Sequence, residues 1–127
     1  MNGIDFIADT NALLYIFQKN PCMVPYLNSQ IAISVISEME LLSFPKITDE
    51  EDLFFRKAID SCHVFGLSEQ IKNLAIFVRR KYGTKLPDSI VAATSIASGV
   101  PLVTADKGFR KISELNLRLL EPELPSK

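Results

Sequence analysis

Short apolar runs, each closed by a polar turn and followed by a helical pattern, set the tightest limit on what this chain can fold into. Ile4 to Ala8 (IDFIA) is ended by Asp9, Thr10 and Asn11 before ALLYIF takes up helical spacing. Ile31 to Ile36 (IAISVI) is a second β-branched run, with Ser37 and EMELL after it. Pro101 to Thr104 (PLVT) opens on a proline, so a strand begins there and not earlier. HVFGL, from His63, is a candidate central strand, and Leu117 to Leu120 (LRLL) a candidate last one. Strands this apolar cannot face water on either side. They predict an α/β fold: a largely parallel central sheet sandwiched between helices.

The intervening segments carry helix punctuation. Thr48 to Glu51 (TDEE) has the form of a capping box before LFFRKAI. Ser68 caps a helix whose stripe is Ile71, Leu74, Ala75, Val78 and Tyr82, and Gly83 ends it. In KLPDSIVAATSIASG, Pro87 suits the first helical position and Gly99 the left-handed residue past the end, with Ile90, Ala93 and Ala97 on a closely packed face. At 127 residues, 47% of them hydrophobic, the chain can bury one core. Residues 1–122 are expected to form one domain and 123–127, from the two-proline segment EPELPSK, a loose tail.

The net charge of −1 supplies no global field for a polyanion, which must be met by a local patch or through metal ions. Cys22, Cys62 and the lone His63 lack metal-ligand spacing. MNGIDFIADTN has no basic leader region, and no run approaches the ~20 apolar residues of a membrane span. A soluble cytoplasmic protein is expected.

In parallel α/β sheets ligands bind outside the carboxyl ends of the strands. Asp9 ends the first strand, Asp106 follows PLVT, and Glu40 falls in the first turn of the helix after the second strand. Asp88 opens a helix that can return to the same edge. Each has a bland explanation: Asp9 as an N-cap, Glu40 as the partner of Ser37 in a capping box, Asp88 as a dipole complement and Asp106 as a turn residue. Glu38, the neighbour of Glu40, points some 200° away from it on a regular helix. Together, however, four carboxylates at one edge repel one another, and divalent cations relieve the repulsion. Oxygen-only ligation selects Mg²⁺ or Mn²⁺, ions that acidify water and stabilise in-line displacement at phosphorus.

The segments IADTNALL, ISVISEMELLSFP, KLPDSIVAATSIASG and PLVTADKGF resemble, in order and spacing, the motifs of PIN-domain ribonucleases, particularly the VapC-type toxins of bacterial toxin–antitoxin pairs. The resemblance runs from Ile7 to about Phe109. It implies metal-dependent endonucleolytic cleavage of RNA with Asp9, Glu40, Asp88 and Asp106 as the acids, and Glu40 rather than Glu38 as the ligand. It also implies that Asn11 and Thr104 orient the first and last of them, that a protein antitoxin covers helices near the site, and that the domain forms homodimers. The chain departs from the pattern at Gly108, where many relatives carry a second acid, so Asp106 stands alone.

Substrate would need positive charge at that edge. Arg79, Arg80, Lys81 and Lys85 precede Asp88, and Lys107, Arg110 and Lys111 follow Asp106. Single-stranded RNA fits better than a duplex, because an exposed phosphate must reach the acids. Tyr15, Phe17, Phe54 and Phe55 are candidates for an exposed apolar surface. Two other readings compete: a PIN scaffold kept only for binding, and a receiver-like phosphoacceptor domain, which would want an acid at the end of its central strand.

Overall fold

The computed structural model describes residues 3–26 and 28–123. The first apolar run becomes β1 (Phe6–Ala8), buried along its whole length. It pairs in parallel with β2 (Ile31–Ser34) on one side and β4 (Leu102–Thr104) on the other. β3 (His63–Phe65) lies outside β2, and β5 (Leu117–Leu119) outside β4. The order is β3-β2-β1-β4-β5, all parallel, as the apolar runs predict.

One strand stands elsewhere than expected. HVFGL forms an edge strand, with His63 exposed and Val64 and Phe65 only half-buried. The centre is β1, whose chain continues into Asp9. The chain leaves β1 toward β2 and β3, then returns to β4 and β5 on the other side. Its connections therefore diverge between β1 and β4, and the crevice that such a reversal opens lies outside the carboxyl ends of those two strands.

Side chains alternate across the sheet. Phe6, Ala8, Ile33 and Val103 pack on one face with Leu13 of α1 (Thr10–Phe17), Leu41 of α2 (Val35–Leu42) and Ile59 of α3 (Asp49–Asp60). Ile7, Ala32 and Leu102 pack on the other with Val78 of α4 (Glu69–Tyr82) and Val91 and Ala92 of α5 (Leu86–Ser98). Each large aliphatic side chain fully buried here contributes about 1.5–3 kcal/mol. Small residues, Ala75 of α4 and Ala93 of α5, let those two helices approach closely.

The predicted punctuation holds for α3, where Thr48 and Glu51 exchange both capping-box hydrogen bonds at 3.1 Å. It also holds at Gly83 and Gly99, left-handed at φ 68° and 72°. It fails in two places. α5 begins at Leu86, so Pro87 is its second residue. α2 begins at Val35, because the Ser34 hydroxyl accepts the Ile36 N–H at 3.1 Å and draws two β-branched residues into the helix. Ser37 is then interior and fully buried, and the Ser37–Glu40 capping box, the bland alternative for Glu40, does not form.

At the far end, Asn20 holds both backbone groups of Glu123, at 3.1 and 3.2 Å, so the tail is fastened at its first residue. The rest of the expected tail, 124–127, lies outside the described residues. Among the described residues no helix is long and apolar enough to cross a membrane. Cys22 and Cys62 are unpaired and half-buried, and burial pushes both thiols up.

Candidate active site

Asp9 leaves β1 in extended conformation and caps α1: its Oδ1 accepts the Ala12 N–H at 2.8 Å. The N-cap explanation is therefore correct but uses only one oxygen. Oδ2 accepts a hydrogen bond from the Thr104 hydroxyl at the end of β4. That hydroxyl, fully buried, also accepts the Asp106 N–H at 3.0 Å. Thr104 thus ties the ends of the two strands that border the crevice. Asp106 turns the chain into a 3₁₀ segment (Lys107–Lys111), its Oδ1 accepting the Gly108 N–H at 2.8 Å.

Glu40 and Asp88 come from two helices, α2 and α5, that touch each other. With α2 starting at Val35, Glu40 sits in the second turn and not the first, exposed, its Oε1 accepting the Thr10 hydroxyl at 2.9 Å. Asp88 is half-buried in the first turn of α5. All four acids line one cleft of about 250 Å³, together with Thr10 and Asn11. Glu38 is not part of it.

Asp9 and Asp88 register the charges around them. Burial pushes the Asp9 carboxyl up; hydrogen bonds from Thr104 and Ala12 oppose this, while the charges of Asp106 and Asp88 add to it. Asp88 is also raised, first by burial, then by Asp106 and Glu40, against the pull of Lys85 and Lys111. Among the described residues no three Asp, Glu, His or Cys side chains converge tightly enough to wrap an ion by themselves. The donor set nevertheless suits a hard divalent ion that keeps most of its waters and takes one or two carboxylates directly.

A family model described as the PIN domain matches residues 6–115. The chain belongs to the PIN domain family. Its fold is shared with a chain of a toxin–antitoxin complex from Klebsiella pneumoniae, at 27% identity over 87% of this chain and 95% of that one, TM-score 0.75. Two DNA-bound complexes give similar matches. For VapBC2 from Rickettsia felis, identity is 21%, coverage 93% and 100%, and TM-score 0.79. For VapBC from Salmonella typhimurium the figures are 20%, 91% and 97%, and 0.80. No curated protein matches the sequence. The receiver-like reading falls with the family.

The seven cations expected near the site of this PIN domain are not equivalent. Arg79 donates to the Thr84 carbonyl at 3.2 Å, and Lys81 is paired with Glu114 at 3.0 Å. Tyr82 donates to the same carboxylate at 2.5 Å, and these two partners hold Glu114 down at about 2. Arg80 lines a separate depression with Ile76 and Phe77. Lys107 and Arg110 are exposed on the 3₁₀ segment, while Lys85 and Lys111 line a depression that adjoins the acids. Of the polar neighbours, Asn11 lines the cleft but Thr10, which the sequence reading passed over, makes the bond to Glu40.

Proposed function

We propose that this PIN domain is the endoribonuclease toxin of a toxin–antitoxin pair, hydrolysing RNA phosphodiesters with Mg²⁺ or Mn²⁺ at the four-acid cleft. The observation that carries the reading is the meeting of Asp9, Glu40, Asp88 and Asp106, from four separate stretches, in one cleft beyond β1 and β4. The similarity to chains of toxin–antitoxin complexes supports the biological setting.

Asp9, Asp88 and Asp106 would hold the ion, one or two of them directly and the rest through its waters, with Glu40 completing its surroundings or orienting water. When bound, the ion acidifies water and offsets charge building on the phosphoryl oxygens. The chain's own groups do the positioning. Thr104 holds Asp9 and the Asp106 backbone in register, and Thr10 holds Oε1 of Glu40, leaving Oε2 to accept a proton from the attacking water. Water adds at phosphorus as the bond to the 3′ oxygen breaks, giving a 5′-phosphate and a 3′-hydroxyl, and no side chain becomes covalently attached. Purified protein should cleave single-stranded RNA in Mg²⁺ or Mn²⁺ and leave it intact in EDTA. Folded, metal-replete protein that binds RNA without cutting it would favour the scaffold reading instead.

A protein antitoxin and a homodimer belong to the same proposal. Of the four aromatic candidates, Tyr15, Phe17 and Phe55 are half-buried against the core. Only Phe54 is largely exposed, at 51%, in edge-to-face contact with Phe17 and Phe55. Phe54→Ser should lower antitoxin affinity or self-association by roughly 10-fold or more, the scale of an aromatic anchor, with only the few degrees of melting temperature lost that its ring contacts to Phe17 and Phe55 supply. Unchanged assembly and antitoxin binding, measured by calorimetry and sedimentation, would remove Phe54 from both interfaces.

A further inference from the structure

The acid cleft has one exposed apolar residue. Its other lining residues are polar, except for Val91, which is buried, and Phe44. Phe44 is 46% exposed. Unlike Phe54, which packs edge-to-face on Phe17 and Phe55, it meets no other aromatic ring among the described residues.

The chain around Phe44 is fixed at both ends. α2 stops at Leu42, just before it, and the Thr48–Glu51 capping box starts α3 shortly after. In between, the Phe44 carbonyl accepts the Ile47 N–H at 3.2 Å, closing a tight turn with Pro45 and Lys46 at its centre. Pro45 presets the first central position, and Lys46 takes φ 67°, the left-handed value that a type II turn demands and usually gives to glycine. Lysine is strained there, and among the described residues its exposed side chain makes no hydrogen bond or ion pair to compensate. Strain of this kind gathers where a segment is held in place for a ligand. A residue on so short a connection can meet a ligand without first being ordered.

We infer that Phe44 is a stacking platform for the base of the RNA nucleotide next to the scissile phosphate. The inference rests on the proposed RNA hydrolysis and names how its substrate is held. Phe44 and the four acids share a cleft of about 250 Å³, so a strand with one phosphate at the acids carries a neighbouring base past Phe44. Carboxylates repel a phosphodiester until an ion is bound, whereas stacking is indifferent to that charge. Stacking accepts any base, provided that it is not already stacked in a duplex. Phe44 therefore selects single strands without reading their sequence.

The test is cleavage, in Mg²⁺, of a decaribonucleotide that wild type cuts at one bond, and of the same decamer carrying single abasic positions. Phe44→Leu should lower kcat/KM by roughly 10-fold or more, chiefly through KM, and Phe44→Trp should restore it. Removing the base beside the cut should cost wild type a similar factor and cost Phe44→Leu little more. Phe77→Leu, which changes a comparably exposed phenylalanine of α4 outside the cleft, should match wild type.

Phe44→Leu with wild-type kinetics would overturn the inference. So would losses from Phe44→Leu and from the missing base that multiply in full, because side chain and base would then act separately. A Phe44→Leu protein that loses cleavage together with self-association in sedimentation would also overturn it, giving Phe44 to a subunit interface. Failure of wild type to cleave single-stranded RNA in Mg²⁺ is a separate result: it would overturn the reading of the acid cleft, and this inference with it.

Discussion

Asp88→Asn is expected to remove RNA cleavage while leaving the metal-free protein at least as stable as wild type. The loss should be on the order of 10²–10³-fold in kcat, the scale of deleting one preorganised electrostatic group from an active site. The stability half follows from the surroundings of Asp88. Burial and the charges of Asp106 and Glu40 raise its carboxyl above its ordinary value. The folded state therefore takes up a proton more readily than the unfolded chain, and ionisation of Asp88 costs stability at neutral pH. That cost fades as pH falls through the raised folded-state value toward the unfolded one. The asparagine variant should thus melt at or above wild type at pH 7 in EDTA, and the gap should close on acidification. Mg²⁺ at 100 times its Kd would stabilise wild type by about 2.7 kcal/mol. The variant should gain much less. An active Asp88→Asn protein, or one inactive only because it is unfolded, would contradict the assignment.

Thr104→Val should damage both stability and activity, because one hydroxyl serves two acids. Valine keeps the shape but leaves the Asp106 N–H without its acceptor and Asp9 without one donor. An unsatisfied buried polar group costs about 1–3 kcal/mol. A melting temperature lower by roughly 5–10 °C is expected for a chain of this size. Cleavage should fall a further 10–100-fold at temperatures where the variant is folded, the usual effect of losing a group that orients a metal ligand. Thr104→Ser keeps the hydroxyl and should restore most of the activity. If valine and serine behaved alike, the methyl group and not the hydrogen bond would be what matters at this position.

The fold was readable because its central strands are covered on both faces. Ile7, Ala32 and Leu102 face one layer of helices and Phe6, Ile33 and Val103 the other, so neither alternate set is polar and the runs stand out. The same signal could not rank the strands from centre to edge, which is why HVFGL was expected centrally. Helix starts were legible where one polar residue could cap, as at Thr48 and Ser68. In IAISVIS two serines compete three residues apart, and burial of Ser37 decided in favour of Ser34.

At the site, Asp9 and Asp106 stood out because each ends or follows an apolar run, and Asp88 because it is the one acid in an otherwise apolar helix. Glu40 was found for the right edge but in the wrong turn of its helix. Thr10 and the double role of Thr104 were not derivable in the same way. Their hydroxyls meet carboxylates 30 and 95 residues away. The division of the cations was equally hidden: Lys81 answers to Glu114, 33 residues on, while Lys85 and Lys111 converge only through the packing of the 3₁₀ segment against the start of α5.

The central claim is that carboxylates from four stretches of chain share one cation-binding cleft. Stepwise addition of Mn²⁺ to ¹⁵N-labelled protein tests it, through paramagnetic broadening of backbone amides. The amides around Asp9, Glu40, Asp88 and Asp106 should broaden together at the lowest Mn²⁺ concentrations, and in Asp88→Asn they should need much higher ones. Broadening that starts instead at Asp49, Glu50, Glu51 and Asp52, the acidic first turn of α3, would contradict the claim.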